Sequence, residues 1–273
     1  MIHLLHVLKQ ISSLFKQCDG LLITAGAGMG VDSGLPDFRG KEGFWKVYPH
    51  LKDKKIHFQD IANPAGFRQH PSLAWGFYGH RHVLYKQTIP HEGFQILKKL
   101  ITKFANGGFV VTSNVDGHFQ KSGFNEERIY EIHGNINFSQ CSEPCTLDLS
   151  TTPNVNVNDQ CLSQTIPICH ICGEHLRPNI LMFNDGAWIS SKYDKQEVEF
   201  NKWLKCCKKV MCIEIGAGVN IQSIRMISEE FHRTLIRINP RDFITPYHNG
   251  ISIPLTGLLG LQLIEYAVNN FED

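Results

Sequence analysis

This sequence has no excess of charge of either sign. Its 273 residues hold 27 Lys plus Arg against 26 Asp plus Glu, a formal balance of +1, and charged residues make up only 19%. No global basic field therefore draws it to nucleic acid or to an anionic membrane, and any charge-based recognition must be local. Long apolar runs are missing too. No stretch approaches the roughly 18 residues that mark a membrane-spanning helix, and even Val210 to Val219 is interrupted by Glu214. The opening segment, Met1 to Gln17, repeats apolar residues at Leu4, Leu8, Ile11 and Phe15. That spacing predicts an amphipathic helix rather than the continuous apolar stretch of a secretion signal. The expectation is a soluble cytoplasmic monomer with no nucleic-acid or membrane partner. Hydrophobic residues reach 42%, enough for one large domain or two unequal ones.

Cysteine is the residue present out of proportion. Nine is an odd number in a chain without a secretion signal, so paired disulfides are a poor reading. Cys141 and Cys145 enclose three residues, and Cys169 and Cys172 enclose two, with 23 residues between the pairs. Each close pair can present two thiolates from one tight turn, and two such turns complete a tetrahedral four-sulfur zinc site. Pro144 inside the first turn and Gly173 after the second suit that geometry. Four protein ligands leave no open position, which makes such a zinc structural. Cys161 lies between the pairs as a possible substitute ligand. Cys18, Cys206, Cys207 and Cys212 lack metal spacing and are expected to pack as small apolar side chains.

Short β-rich runs recur at Gly20-Leu-Leu-Ile-Thr-Ala-Gly, Phe109-Val-Val-Thr-Ser, Val210-Met-Cys-Ile-Glu-Ile-Gly and Thr234-Leu-Ile-Arg-Ile-Asn, separated by helix-length sequence. This alternation predicts an α/β fold, a Rossmann-like parallel sheet with a ligand at the strand C-termini. Two stretches interrupt the rhythm. Residues 41–90, rich in aromatics (Phe44, Trp45, Trp75, Phe77, Tyr78), read as a helical insert that either covers a ligand or builds core. Residues 131–185 read as a zinc-binding module, with Ser150 to Gln164 as a mobile polar loop inside it. Residues 1–40, 91–130 and 186–273 are left to the Rossmann-like part.

The most informative segment is Gly26-Ala-Gly-Met-Gly-Val-Asp-Ser-Gly-Leu-Pro-Asp-Phe-Arg-Gly40. Glycines after a strand let backbone approach a pyrophosphate closely. The segment lacks the Lys-Ser/Thr ending that a nucleoside triphosphatase needs, and it carries an acid, a ring and a guanidinium at Asp37, Phe38 and Arg39 instead. Asp32 reads as a helix or turn cap. Further on come Thr112-Ser-Asn-Val-Asp-Gly117, Glu131-Ile-His-Gly134, the four cysteines and Leu176-Arg-Pro-Asn-Ile-Leu-Met-Phe183. Taken in this order, the motifs resemble the sirtuin family of NAD-dependent protein deacylases over roughly Leu21 to Asn239. Some positions depart from the family pattern. Gly30 stands for the usual Ser and Ser113 for a frequent Gln. Gly216-Ala-Gly-Val replaces Gly-Thr-Ser, and Asn184-Asp185 replaces Gly-Glu.

The resemblance implies roles residue by residue. NAD would lie against Gly26, Ala27, Gly28, Asp37, Phe38, Arg39, Ser113, Asn114, Val115, Asp116, Gly216, Ala217, Gly218 and Asn239. His133 would be the general base and Asn114 would meet the reacting ribose. Asp116 would hold the nicotinamide carboxamide. Zinc would sit on Cys141, Cys145, Cys169 and Cys172. An extended peptide carrying an acylated lysine would lie along Ile180, Met182 and Phe183, on a free strand edge. Tyr78 and Arg81 form a Tyr-x-x-Arg pair on one helix face. In one branch of the family such a pair binds the carboxylate of succinyl- or malonyl-lysine; in another reading it is a packed Tyr beside a surface Arg. An NAD hydrolase or ADP-ribosyltransferase on the same scaffold, or a non-catalytic NAD or ADP-ribose sensor, are the alternatives.

Overall fold

The computed structural model describes residues 2–36, 48–49, 56–246 and 250–271. Asp37, Phe38, Arg39, Phe44 and Trp45 lie outside the described residues. The amphipathic stripe at the start forms helix α1 (Ile2–Gln17), with Leu8, Ile11 and Phe15 buried. It leads into strand β1 (Gly20–Ala25) and a 3-10 turn (Ala27–Ser33). Helices α2 (Phe58–Ile61), α3 (Pro64–Gln69), α4 (Pro71–Gln87) and α5 (Gly93–Ile101) follow. Then come β2 (Gly108–Thr112), α6 (His118–Lys121), β3 (Ile129–Glu131), β4 (Gly134–Cys141), β5 (Ser150–Thr151) and β6 (Leu176–Ile180). The chain continues through α7 (Ser191–Cys206), β7 (Val210–Ile215), α8 (Ser223–Glu229), β8 (Leu235–Ile238), β9 (Ile251–Ile253) and α9 (Gly257–Asn270).

Six strands pair in the order β3-β2-β1-β7-β8-β9, every pair parallel. By sequence this is the doubly wound order, whose direction reverses between β1 and β7. The expected parallel sheet is therefore present, together with two strands, β3 and β9, that the sequence pattern does not predict. Both are three residues long and lie at the sheet edges, too short to leave a periodic trace. Side chains alternate across the sheet as the pleat demands. Leu21, Ile23, Met211 and Ile213 face a core shared with α1, α5 and α9, while Leu22, Phe109 and Cys212 face one shared with α7 and α8.

A three-stranded sheet, β5-β4-β6, carries the cysteine module, and its pairings are antiparallel. Its apolar face and helix α4 belong to one core, in which Trp75, Phe77 and Tyr78 pack with Ile136, Val155, Cys161 and Ile180. The aromatics of the insert that fall among the described residues are thus core.

The segment expected to be a mobile polar loop is anchored on helix α4 at several points. Thr152, Val155, Cys161 and Ser163 are buried. Ser163 N–H donates to the Ser72 carbonyl at 2.8 Å, and the Ser72 hydroxyl donates back to the Ser163 carbonyl at 2.6 Å. The reason lies on α4, where Gly76 and Gly79 share a face. A β-carbon at Gly76 would fall 1.9 Å from the Cys161 carbonyl oxygen, and one at Gly79 would fall 2.1 Å from Val155 Cγ2. Bare backbone at both positions lets the polar segment lie directly on the helix.

Candidate active site

The site forms where the sheet order reverses, at the C-terminal ends of β1 and β7. Gly26 N–H donates to the Ile215 carbonyl at 2.9 Å, and Gly28 N–H donates to the Gly216 carbonyl at 3.0 Å. The two loops touch backbone to backbone. A β-carbon on Gly28 would fall 2.6 Å from Gly216 Cα, and Gly216 has φ +62. This contact opens a cleft of about 700 Å³ lined by Ala27, Gly28, Gly216, Gly218, Asn239 and the Thr256–Gly257 start of α9. That volume suits a nucleotide, and a β-carbon at Gly218 would meet only open space. Ala217 itself is buried, so the loop offers backbone where the family offers hydroxyls.

Asn239 lies in this cleft, but its side chain is occupied by backbone. Its Nδ2 donates to the Ala217 carbonyl at 3.0 Å, and its Oδ1 accepts from Arg241 N–H at 3.0 Å and Asp242 N–H at 2.9 Å. It ties the β8 end to the loop after β7. Asp32 is a cap, as its type suggested, and the helix is distant in sequence: its carboxylate accepts from Leu258 N–H at 2.7 Å, in the first turn of α9.

A smaller pocket lies beside the glycine turn. It is lined by Ala27, Arg81, Tyr85, Ser113, Asn114 and Asp116, among others. Thr112 Oγ1 donates to the Ala25 carbonyl and accepts from Asn114 N–H, both at 3.0 Å, and Asn114 Nδ2 donates to the Gly26 carbonyl at 2.9 Å. The segment after β2 and the glycine turn are thus tied together. Asp116 turns the chain by accepting from His118 N–H at 2.8 Å, and the Val115 carbonyl accepts from Ile136 N–H at 2.9 Å.

Of the Tyr-x-x-Arg pair, only Arg81 lines this pocket. Tyr78 is 1% exposed and packs against Phe67 and Phe77. Arg81 donates from Nε and Nη2 to the Tyr85 hydroxyl, at 2.9 and 2.5 Å, and lies over the rings of Phe77 and Tyr78. Tyr85 carried no sequence signal, because a Tyr four residues after an Arg is ordinary. Neither did His91, whose Nε2 lies 2.9 Å from the Met29 carbonyl and whose N–H donates to Ser33 Oγ at 3.0 Å.

His133 occupies the corner between β3 and β4, half-buried, and its carbonyl accepts from Leu181 N–H at 3.0 Å. Two residues earlier, Glu131 is 1% exposed, and burial raises its carboxyl pKa. Lys192, Gln120, Asn135 and Gln196 act in the opposite direction. Ile180, Met182 and Phe183 follow on β6 and its extension; β6 is the outer strand of its sheet, and Phe183 N–H donates to the Ala62 carbonyl at 2.9 Å. Asn184 takes φ +56 where the family pattern has Gly, and Asn tolerates that conformation better than most residues. Asp185 then forms a fully buried ion pair with Arg177 at 2.8 Å.

The four cysteine sulfurs lie within 4.8 Å of one another, with Cys141 to Cys172 at 3.5 Å and Cys145 to Cys169 at 3.6 Å. Four bonds of about 2.3 Å around one tetrahedral ion require sulfurs about 3.8 Å apart. Backbone N–H groups of Cys172 and Ile171 lower the Cys169 thiol pKa, favouring the thiolate. The donor set fits a structural zinc ion. Cys161 is not in the group: it is buried against α4, with φ +56. Of the remaining thiols, Cys18 and Cys212 are buried as expected, Cys207 is half-buried and Cys206 is exposed.

A family model described as Sir2 family matches residues 26–222. An NAD-dependent protein deacylase of Aquifex aeolicus is 34% identical over 173 residues, covering 63% of this chain and 64% of that one. One of Leptospira interrogans is 27% identical over 243 residues, covering 88% and 89%. A solved Sir2 homologue in complex with NAD superposes with a TM-score of 0.72 at 20% identity, over 98% of this chain and 94% of that one. The matched span runs from the glycine turn through the histidine corner and the cysteine module to the loop after β7, and on that evidence the chain belongs to the Sir2 family.

Proposed function

We propose that this protein is an NAD-dependent protein-lysine deacylase. One observation carries the reading. Segments far apart in sequence, the glycine turn and Ser113–Asp116, meet in a single pocket at the sheet's reversal point, with Arg81 and Tyr85 on its wall. NAD supplies a sugar carbon activated by a nicotinamide leaving group, and the acyl-lysine carbonyl oxygen takes that carbon. The chain's own residues do the rest. The Gly26–Gly28 and Gly216–Gly218 backbone holds the nucleotide. Asn114, already tied to Gly26, faces the reacting ribose, and Asp116 the carboxamide. His133 accepts a ribose hydroxyl proton on a ring nitrogen, since imidazole is the side chain suited to that task near neutral pH. Zinc, held by Cys141, Cys145, Cys169 and Cys172, would fix the module that carries the peptide strand and takes no part in the chemistry.

The acyl chain is read from Arg81. A guanidinium walled by aromatic rings in a small pocket suits a carboxylate, so succinyl- or malonyl-lysine is the proposed preferred substrate. The test incubates protein and NAD with matched acetyl-, succinyl- and malonyl-lysine peptides and follows peptide mass and nicotinamide. Peptide-dependent nicotinamide release with loss of the acyl mass supports the reading. Release that needs no peptide points to an NAD hydrolase, and the absence of turnover with every acyl group points to a sensor. His133→Ala should keep NAD and peptide binding and abolish deacylation; near-parental turnover at saturating substrate would remove the base assignment.

A further inference from the structure

The corner that carries His133 is closed by a side-chain pair on either side of it. Asn135 Nδ2 donates to Glu131 Oε1 at 2.6 Å, so residues 131 and 135 bracket the histidine symmetrically. Both side chains are almost fully buried, Glu131 at 1% and Asn135 at 2% exposure. Neither contributes to a hydrophobic core, and the chemistry described above does not use either one. The bracket is anchored from both sides. On one side α7 grips Glu131: Gln196 Oε1 accepts from Glu131 N–H at 2.9 Å, Gln196 Nε2 donates to Glu131 Oε2 at 3.4 Å, and Lys192 Nζ stands 4.0 Å from Glu131 Oε2. On the other side Asn135 Oδ1 accepts from Asn137 N–H at 2.8 Å. A β-carbon placed on Gly117 would lie 3.5 Å from Asn135 Nδ2, which puts Asn135 against the residue that follows Asp116.

We infer that Glu131 and Asn135 form a positioning strap that fixes His133 against the Asn114–Asp116 segment. A buried carboxylate is costly unless it is hydrogen-bonded, and here its bonds converge on one five-residue corner and the helix behind it. The strap acts on the proton-transfer step alone. Nicotinamide departs before a base is needed, and neither residue lines the nucleotide cleft. Misplacing a reacting group by about 1 Å can cost about a hundredfold in rate.

This inference rests on the proposed deacylase reading, and the test separates the two. Asn135→Asp and Glu131→Gln keep side-chain size, so those two spare the fold. Asn135→Asp replaces the donor by an acceptor facing the Glu131 carboxylate, whereas Glu131→Gln keeps an acceptor oxygen for Asn135. Two rates are read at saturating NAD and acyl peptide: deacylation, and exchange of labelled nicotinamide into NAD, which reports the earlier bond-breaking step. Asn135→Asp should lower the deacylation kcat at least about tenfold, with KM values and exchange within about threefold of the parent. Glu131→Gln should retain most of the activity, and Glu131→Ala should behave as Asn135→Asp does. Parental kcat in Asn135→Asp and Glu131→Ala would overturn the strap. So would an equal fall of exchange and deacylation, which would mean that the whole site had collapsed. If His133→Ala deacylates normally, the base assignment fails and the strap goes with it; if that variant is inactive while the strap variants are normal, only the strap is lost.

Discussion

At the scale of single residues, the proposed acyl preference rests on Arg81. A succinyl carboxylate entering its pocket must lose water, and the loss is tolerable only if a charged donor replaces it. Arg81→Met should therefore lower the ratio of succinyl- to acetyl-lysine kcat/KM by about one to three orders of magnitude. The ratio cancels general damage to folding, and an unchanged ratio would return the acyl preference to open. His82 gives a second prediction. It is 1% exposed, and burial, assisted by Lys86, lowers its pKa to about 4 from the ordinary 6.5. A histidine with a depressed folded-state pKa stays neutral in the fold while the unfolded chain takes up a proton. Its contribution is whole above pH 6.5 and is lost as pH falls toward 4, about 1–3 kcal/mol over that interval. His82→Gln should flatten the fall in stability between pH 7 and 5 measured by urea unfolding, and an unchanged slope would count against the buried neutral ring. The motif residues were legible because glycines directly after a strand and cysteines in close pairs serve few purposes besides backbone approach to a ligand and metal binding. Tyr85, His91, Glu131 and Asn135 were not legible as partners, since each works through a contact that only the fold creates.

At the scale of elements, the four longer strands and the first helix could be read from their periodicity, and the two edge strands could not. The segment from Ser150 to Gln164 defeats a reading by composition for a physical reason. Its polarity suggests solvent, whereas its partner is the bare backbone face of α4 at Gly76 and Gly79. Gly76→Ala tests this. In an exposed helix the change would stabilise by about 0.5–1 kcal/mol. Here the methyl group would strike the Cys161 carbonyl, so the overlap wins and a net loss of about 1–3 kcal/mol is expected. Thermal unfolding decides it, and a stabilised variant would show that the segment does not lie on the helix.

At the scale of the whole molecule, the division into cores predicts what metal loss does. The sulfur cluster belongs to the small sheet, which shares its core with α4, while the cores on the two faces of the six-stranded sheet contain no part of it. One zinc per chain is expected. Its removal by a chelator should abolish peptide turnover and leave NAD binding measurable, because the nucleotide cleft is walled by the large sheet. Metal analysis with Cys141→Ser and Cys169→Ser beside the parent decides the first point. Full retention in both variants, or no metal in the parent, would sink it.

The central pairing of the large sheet has a consequence for synthesis. Strand β1 lies between β2 and β7, and Gly20 pairs with Val210. A ribosome adding about 5–20 residues per second needs about 10–40 s to make the intervening chain. Throughout that interval the edge of β1 that will receive β7 has no strand on it, and Leu21, Leu22 and Ile23, all fully buried in the finished sheet, remain open to other nascent chains. A ribosome-bound chain stopped before Val210 should therefore be held by a chaperone or aggregate, while one extended past Ile215 should begin to resist protease at β1. The same crossover that creates the nucleotide cleft leaves β1 with the longest wait for a partner of any strand in the sheet.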